Sequence, residues 1–296
     1  RVINCDPETG LAFYAVGPTA TMLLAAVWGL AALLLGRSRK RSALCFLVVW
    51  MLWIAIDLVA FLTEPPIFAY NTFVGFFSGA VYDDLIRIAP PLLYFRLGNL
   101  AQAGLLLALL GAVYSAPLGK IEMRRLRSVK VGGWAVIASL ALTVAGFSGA
   151  SGYLGYQIDR ETIQARLGGS LSNDKINLYY DAKTIKPHEA ARILEDQSFR
   201  LHQLETRFGD RYPTKISAYV YGSRKEKRAL MGAERTSIAK PWLNEVHLHR
   251  SPYGTGVVHH ELAHVYFSQY TDSPLGVPAE AIIFPKMMLV EGAAMA

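Results

Sequence analysis

Two kinds of patterning divide the chain. Long blocks of apolar residues occupy 12–36, 42–62, 97–116 and 131–150, almost without charge. Each matches the roughly 20 apolar residues that an α-helix needs to cross hydrocarbon. They predict a membrane domain over 1–150 with about four transmembrane helices. A shorter apolar stretch, 67–82, lies between the helix-breaking pairs Pro65-Pro66 and Pro90-Pro91.

After residue 150 the apolar positions become periodic. A polar stretch over 151–172 reads as a linker. Residues 175–180 (KINLYY), 215–221 (KISAYVY) and 244–249 (NEVHLH) alternate apolar and polar, as half-buried strands do. Residues 187–208 repeat apolar positions at roughly helical spacing (Ala191, Ile193, Leu194, Phe199, Leu201, Leu204), and Gly209 ends the run. Residues 223–231 predict a short basic helix with Ser223 as its N-cap. Residues 251–254 (SPYG) are a turn, 256–270 another helix, and 287 onward the last. The expected fold class is an α-helical membrane bundle followed by an α+β domain over 173–296.

Composition and charge sharpen this. The chain of 296 residues is 52% hydrophobic, only 18% charged, and carries a net charge of +7. The basic residues sit where membrane topology predicts them. Arg37, Arg39, Lys40 and Arg41 lie between the first two spans, and Lys120, Arg124, Arg125, Arg127 and Lys130 between the last two. The positive-inside rule puts both loops in the cytoplasm and everything after residue 150 outside the cytoplasmic membrane. The charge is thereby accounted for by a lipid bilayer rather than nucleic acid. A crossing by 67–82 would separate the two basic loops, so that stretch is expected as a re-entrant or interfacial segment. Asp57 is the one clear acid within a span; near the outer end of its helix it reaches water, and deeper it would be a functional group. Cys5 and Cys45 fall on opposite membrane sides, which argues against a disulfide between them. The chain opens on Arg1 and stops at Ala296 within an expected helix, as a fragment truncated at the C-terminus would.

The chemistry is concentrated in Val257-Val258-His259-His260-Glu261-Leu262-Ala263-His264. On a helix His260 and His264 are one turn apart on one face, so their imidazoles can share a metal ion. Glu261 is then placed to take a proton from water that zinc acidifies. With no CxxC pair, a metal must be held by His and carboxylates. A catalytic zinc site takes three protein ligands and keeps one position open. Downstream of His264 the acids are Asp272, Glu280 and Glu291. Asp272 and Glu280 sit in a Pro- and Gly-containing loop. Glu291 is a lone carboxylate in an apolar helix (Leu289-Val290-Glu291-Gly292-Ala293), which a metal would explain.

VVHHELAH followed by LVEGAA resembles the gluzincin zinc metallopeptidases, and the region from about residue 175 is similar to bacterial peptidase-MA-like domains. The resemblance covers the last ~125 residues and not the membrane half. It implies zinc held by His260, His264 and Glu291, Glu261 as general base, and a peptide or protein as substrate. It also implies an edge strand that pairs with the substrate, and a Tyr or His that stabilises the oxyanion. Tyr253 and Tyr266 are candidates for the latter. His247 and His249 face one side of the third strand, NEVHLH, and read as the polar face of an edge strand along the cleft rather than as an extra metal site. His259 points off the ligand face. The metzincin pattern fails, because it needs a third His six residues past the second, where Tyr270 stands.

The expected function is therefore a multi-pass, membrane-anchored metallopeptidase that hydrolyses peptide bonds with a zinc-activated water, its catalytic domain extracytoplasmic. The alternative is a non-catalytic sensor or transporter subunit with a peptidase-like binding domain. Cutting within the bilayer fits poorly, because His259, Ser268, Gln269 and Tyr270 make the motif segment too polar for a span.

Overall fold

Backbone polar groups in hydrocarbon must bond within their own segment, so long uncharged blocks are expected as helices. The computed structural model describes residues 7–36, 38–77, 88–253, 255–280 and 284–295. Among these residues four helices are long and apolar enough to cross a membrane: α1 (Pro7–Gly36), α2 (Arg39–Thr63), α3 (Pro90–Val113) and α4 (Val131–Gly149). The chain divides into two compact units. One runs to Ile158; the other comprises Asp159–Ala296 together with the short segment Thr63–Ile67.

In the helical unit, apolar side chains face outward. Only Ser42 is buried within α2, while Leu44, Met51, Leu52 and Ile56 are each more than half exposed. Lipid, not water, suits such a surface. α3 and α4 meet at small residues: a methyl on Gly98 would lie 3.3 Å from Phe147, close packing of the kind membrane helices use. α3 begins earlier than the apolar block suggests, because Pro90 and Pro91 start a helix as readily as they break one. Arg96 and Asn99 are thereby buried inside it, at 4% and 2% exposure.

Of the segment 67–82, residues 78–82 lie outside the described residues. Ala69–Asn71 and Gly75–Phe77 form an antiparallel hairpin. Its tip residue Phe73 packs edge-on against Trp28 and Phe46. Side chains satisfy its backbone. Asn71 accepts from the amides of Phe73 and Val74 at 2.8 and 2.7 Å, and Arg96 donates to the Thr72 carbonyl at 3.3 Å. Arg96 also reaches the Gly17 carbonyl, within a π-helical turn of α1, and the Thr21 hydroxyl. Asp57 accepts from the Asn71 amide, so its partner is this hairpin.

The second unit is the α+β domain. The stretch read as a linker, 151–172, contains helix α5 (Arg160–Leu167) and strand β1 (Gly168–Ser172). Asp159 caps α5 by accepting from the Thr162 amide, and Gly168 ends it at positive φ. These cap residues were the signal that the low apolar content hid. Then follow β2 (Ile176–Asp181), α6 (Pro187–Phe208), β3 (Ile216–Tyr221), α7 (Arg224–Met231), β4 (Ile238–Lys240), β5 (Glu245–His249), α8 (Gly256–Phe267) and α9 (Met287–Met295). Ser223 caps α7 as its sequence predicts. The expected helix over 256–270 is α8 plus a 3-10 turn over Ser268–Tyr270.

The sheet order is β1-β2-β3-β5-β4, with β2, β3 and β5 parallel and both outer strands antiparallel to their neighbours. β5 is therefore interior, not the edge expected for NEVHLH. The edge is β4, three residues too few to register as an alternating pattern. One sheet face carries Ile176, Leu178, Ile216, Ala218, Val220, Val246 and Leu248, covered by apolar residues of α6 and α8. The other face is polar yet buried. Tyr219 stacks on Tyr179 and on His247, and the Tyr221 hydroxyl lies 3.1 Å from His247 Nδ1. Glu245 pairs with Arg160 at 2.7 Å. Lys240 donates to the carbonyls of Glu64 and Pro66 at 2.7 and 3.1 Å.

His247 has no exposed surface, so it does not run along a cleft. Burial pushes its imidazole below the ordinary range, against an opposing pull from Glu245. An unfolded histidine takes up its proton near pH 6.5; the folded domain resists it until lower pH. Stability is therefore present above about pH 6.5 and is lost as pH falls below it, by up to about 1.4 kcal/mol per unit. We predict that the unfolding temperature of the full chain in detergent falls between about pH 7 and pH 5.5, and that His247→Gln flattens that slope. An unchanged slope in the variant would remove His247 as the cause.

Candidate metal centre

Helix α8 is anchored by one face. Leu262, Ala263, Val265 and Tyr266 are at most 1% exposed and sit in the sheet core. Helical spacing then turns His260 and His264 the other way. Their rings lie edge to face with centroids 4.5 Å apart, and the two Nε2 atoms are 3.1 Å apart.

Helix α9 brings the third group. Ala294 is buried in the same core, which fixes α9 against α8. Glu291 Oε2 lies 3.3 Å from His260 Nε2 and 3.9 Å from His264 Nε2. The three ligand atoms fall within 4.8 Å of one another. Asp272, the first acid downstream of His264, is exposed and does not join this group; the side chain of Glu280 lies outside the described residues.

The residues fit zinc. Ligand atoms about 2.1 Å from a tetrahedral zinc ion lie roughly 3.4 Å apart, close to the three distances found here. The donor set of two imidazoles and a carboxylate is one that zinc takes in three-ligand sites. Burial, and then the neighbouring His260, push His264 below its ordinary value, against Glu291. The neutral imidazole that a metal requires is thus favoured.

Glu261 sits beside the cluster and is 7% exposed. Burial raises its carboxyl to about 7, with Lys227 pulling it down, Glu291 pushing it up and the Ala239 backbone hydrogen bond pulling it down. Ala239 is on edge strand β4, so a strand too short to show in the sequence lies beside the candidate base. Its signal was faint: a three-residue strand between a loop and Pro241.

An open cleft of about 690 Å³ lies over His260 and Glu261, with Arg200, Arg235, His249 and His259 in its walls. His259 is therefore a cleft residue, and burial followed by Arg200 and Arg207 holds it below the usual histidine range. The two tyrosine candidates are elsewhere. Tyr266 is fully buried and donates to the Asp210 carbonyl at 3.0 Å. Tyr253 is exposed and donates to the Glu189 carbonyl at 3.3 Å. Both are held by backbone carbonyls, which is why residue type alone misled. His249 and His259 are the imidazoles that border the cleft beside His260.

Comparison with protein-family models, with curated proteins and with solved structures finds no match.

Metal binding can be read without any activity. We predict that the full chain takes up one zinc per molecule, and that Glu291→Ala weakens binding about 100-fold or more, since even outer partners of ligands contribute 10- to 100-fold. Equal zinc affinity of the variant and the parent, measured by competition with a chromogenic chelator, would exclude Glu291 as a ligand.

Proposed function

We propose that the chain is a membrane-anchored zinc metallopeptidase of gluzincin type, acting on peptides or proteins outside the cytoplasmic membrane. The observation that carries this reading is the convergence of Glu291, from a separate helix, on the His260–His264 pair of the HExxH segment. A chance HExxH on a surface helix has no reason to meet a carboxylate 27 residues later within ligand distance of both histidines.

His260, His264 and Glu291 would hold the metal. Bound there, zinc supplies a Lewis acid that polarises the scissile carbonyl and acidifies water. Glu261 is the group that moves protons. Its buried carboxylate takes one from the attacking water and delivers it to the leaving amine. Burial near a neutral pKa suits that work, because a base is best matched when its pKa is near working pH. Edge strand β4 has one partner strand among the described residues, and its outer side can pair with an extended peptide by strand addition. His249, on the cleft wall, is the candidate donor to developing negative charge.

The membrane half supplies the anchor. Four apolar helices suit an anchor, and by the positive-inside rule the two basic loops favour a catalytic domain on the far side from Arg39–Arg41. Within the helical unit, Asp57 and Arg96 are engaged with the hairpin, which supports an anchoring role over a transport path.

Glu261→Gln separates chemistry from binding. The variant is expected to keep its zinc and lose peptide hydrolysis by about 100-fold or more, assayed on full-length protein in detergent against a casein-type substrate. Full activity in Glu261→Gln at equal zinc content would overturn the mechanism.

A further inference from the structure

The cleft over His260 and Glu261 has an asymmetric charge that the zinc chemistry does not require. Two arginines, Arg200 and Arg235, stand in its walls. Among the described residues the single carboxylate in the lining is Glu261, which is committed to proton transfer on the reading above. Arg200 rises from α6, where Asp196 one turn earlier holds its Nε at 2.9 Å. Asp196 borders the neighbouring grooves and not this cleft. The pair therefore fixes the arginine from behind. A guanidinium has five donors, so one bond to Asp196 leaves others for a ligand. Arg235 lies on the chain just before β4, next to Thr236 and Ser237, which also line the cleft. An extended peptide laid along β4 would thus run past Arg235 at the start of the strand.

We propose that the cleft selects peptides bearing a carboxylate, with Arg200 and Arg235 as the groups that recognise it. This rests on the metallopeptidase reading for its substrate class. Arginine suits the role because its planar fork meets a carboxylate with two parallel hydrogen bonds. A volume of about 690 Å³ is within the usual range of roughly 300–1,000 Å³ for ligand sites, enough for a short segment of chain. A solvated arginine on a flat surface would add little to binding. Two in the walls of one cleft act together on a ligand that displaces water from both.

The carboxylate can be an Asp or Glu side chain or a free C-terminus, and the test separates these. Matched peptides carry Glu or Gln at successive positions, each with a free or an amidated C-terminus. Two readouts are taken on full-length protein in detergent: cleavage by the parent, and equilibrium binding to Glu261→Gln by fluorescence anisotropy. The expected result is at least a tenfold preference for Glu over Gln peptides, about 1.4 kcal/mol, weakened by salt. Arg200→Gln and Arg235→Gln should each lower it by several-fold and leave the Gln peptides unaffected, with Arg→Lys recovering part. If the preference follows the free C-terminus and not the side chain, the carboxylate is terminal and the same arginines stand. Equal binding of Glu, Gln, free and amidated peptides would overturn the proposal, whether or not any of them is cleaved. Preferential binding of acidic peptides without cleavage would uphold it and count instead against the peptidase reading.

Discussion

Helix α8 has twelve residues and two demands on them. Its apolar side must lock into the sheet, and its other side must hold two imidazoles in fixed register. A helix satisfies both because positions one turn apart share a face while the intervening ones rotate away. Leu262, Ala263, Val265 and Tyr266 meet the first demand, each at most 1% exposed. Each such side chain contributes on the order of 1.5–3 kcal/mol of burial, Ala263 less. That is enough to keep the backbone under His260 and His264 from turning. Without that packing the histidines would be flexible surface groups. Glu291 would then have no fixed partner.

The same packing explains what was legible in the sequence. His260, Glu261 and His264 are adjacent in the chain, so their geometry follows from a helix alone. Glu291 stood out because its neighbours are apolar. Strands with alternating patterns and helix α6 also read directly, since their periods are set by which side faces the core. What did not read was structure defined by partners. β4 is a strand only because β5 lies beside it. α5 has too few apolar residues to show a period, but Asp159 and Gly168 cap it and Ile163 and Leu167 are buried beneath it. NEVHLH was placed at the edge because alternation suggests one wet face. Its polar side is in fact buried against Tyr219 and Tyr221. Alternation reports chemistry on each side of a strand, not what covers it.

The helical unit shows a related limit. Hydropathy finds spans by averaging, so single polar residues inside them disappear. Arg96 lies seven residues into α3, and the apolar block was counted from just past it. Yet Arg96, Asn71 and Asp57 bind the hairpin 69–77 to helices α1, α2 and α3. Non-helical backbone among membrane helices needs such partners for its amides and carbonyls. The hairpin's sequence signal is therefore not in the hairpin itself. It is in the polar residues of the helices around it, each of which would be costly if left unpaired.

Behind the sheet, burial of charge is again tied to position rather than stability. Replacing a buried ion pair by apolar residues is often neutral or better, so Arg160–Glu245 and the buried Lys240 are weak arguments for a stable fold. Their geometry argues for something narrower. Lys240 binds the carbonyls of Glu64 and Pro66, and Arg160 binds Thr63 and Glu64. Lys240 is also the residue next to Ala239, whose backbone lies beside Glu261. A short edge strand is otherwise the least constrained part of a sheet. Pinning it through a buried ammonium sets the height of the strand beside Glu261, the buried carboxylate of the HExxH segment. An apolar side chain at 240 would fill the space but leave two carbonyls without a donor, each at a cost of about 1–3 kcal/mol. The strand would then be free to move beside Glu261.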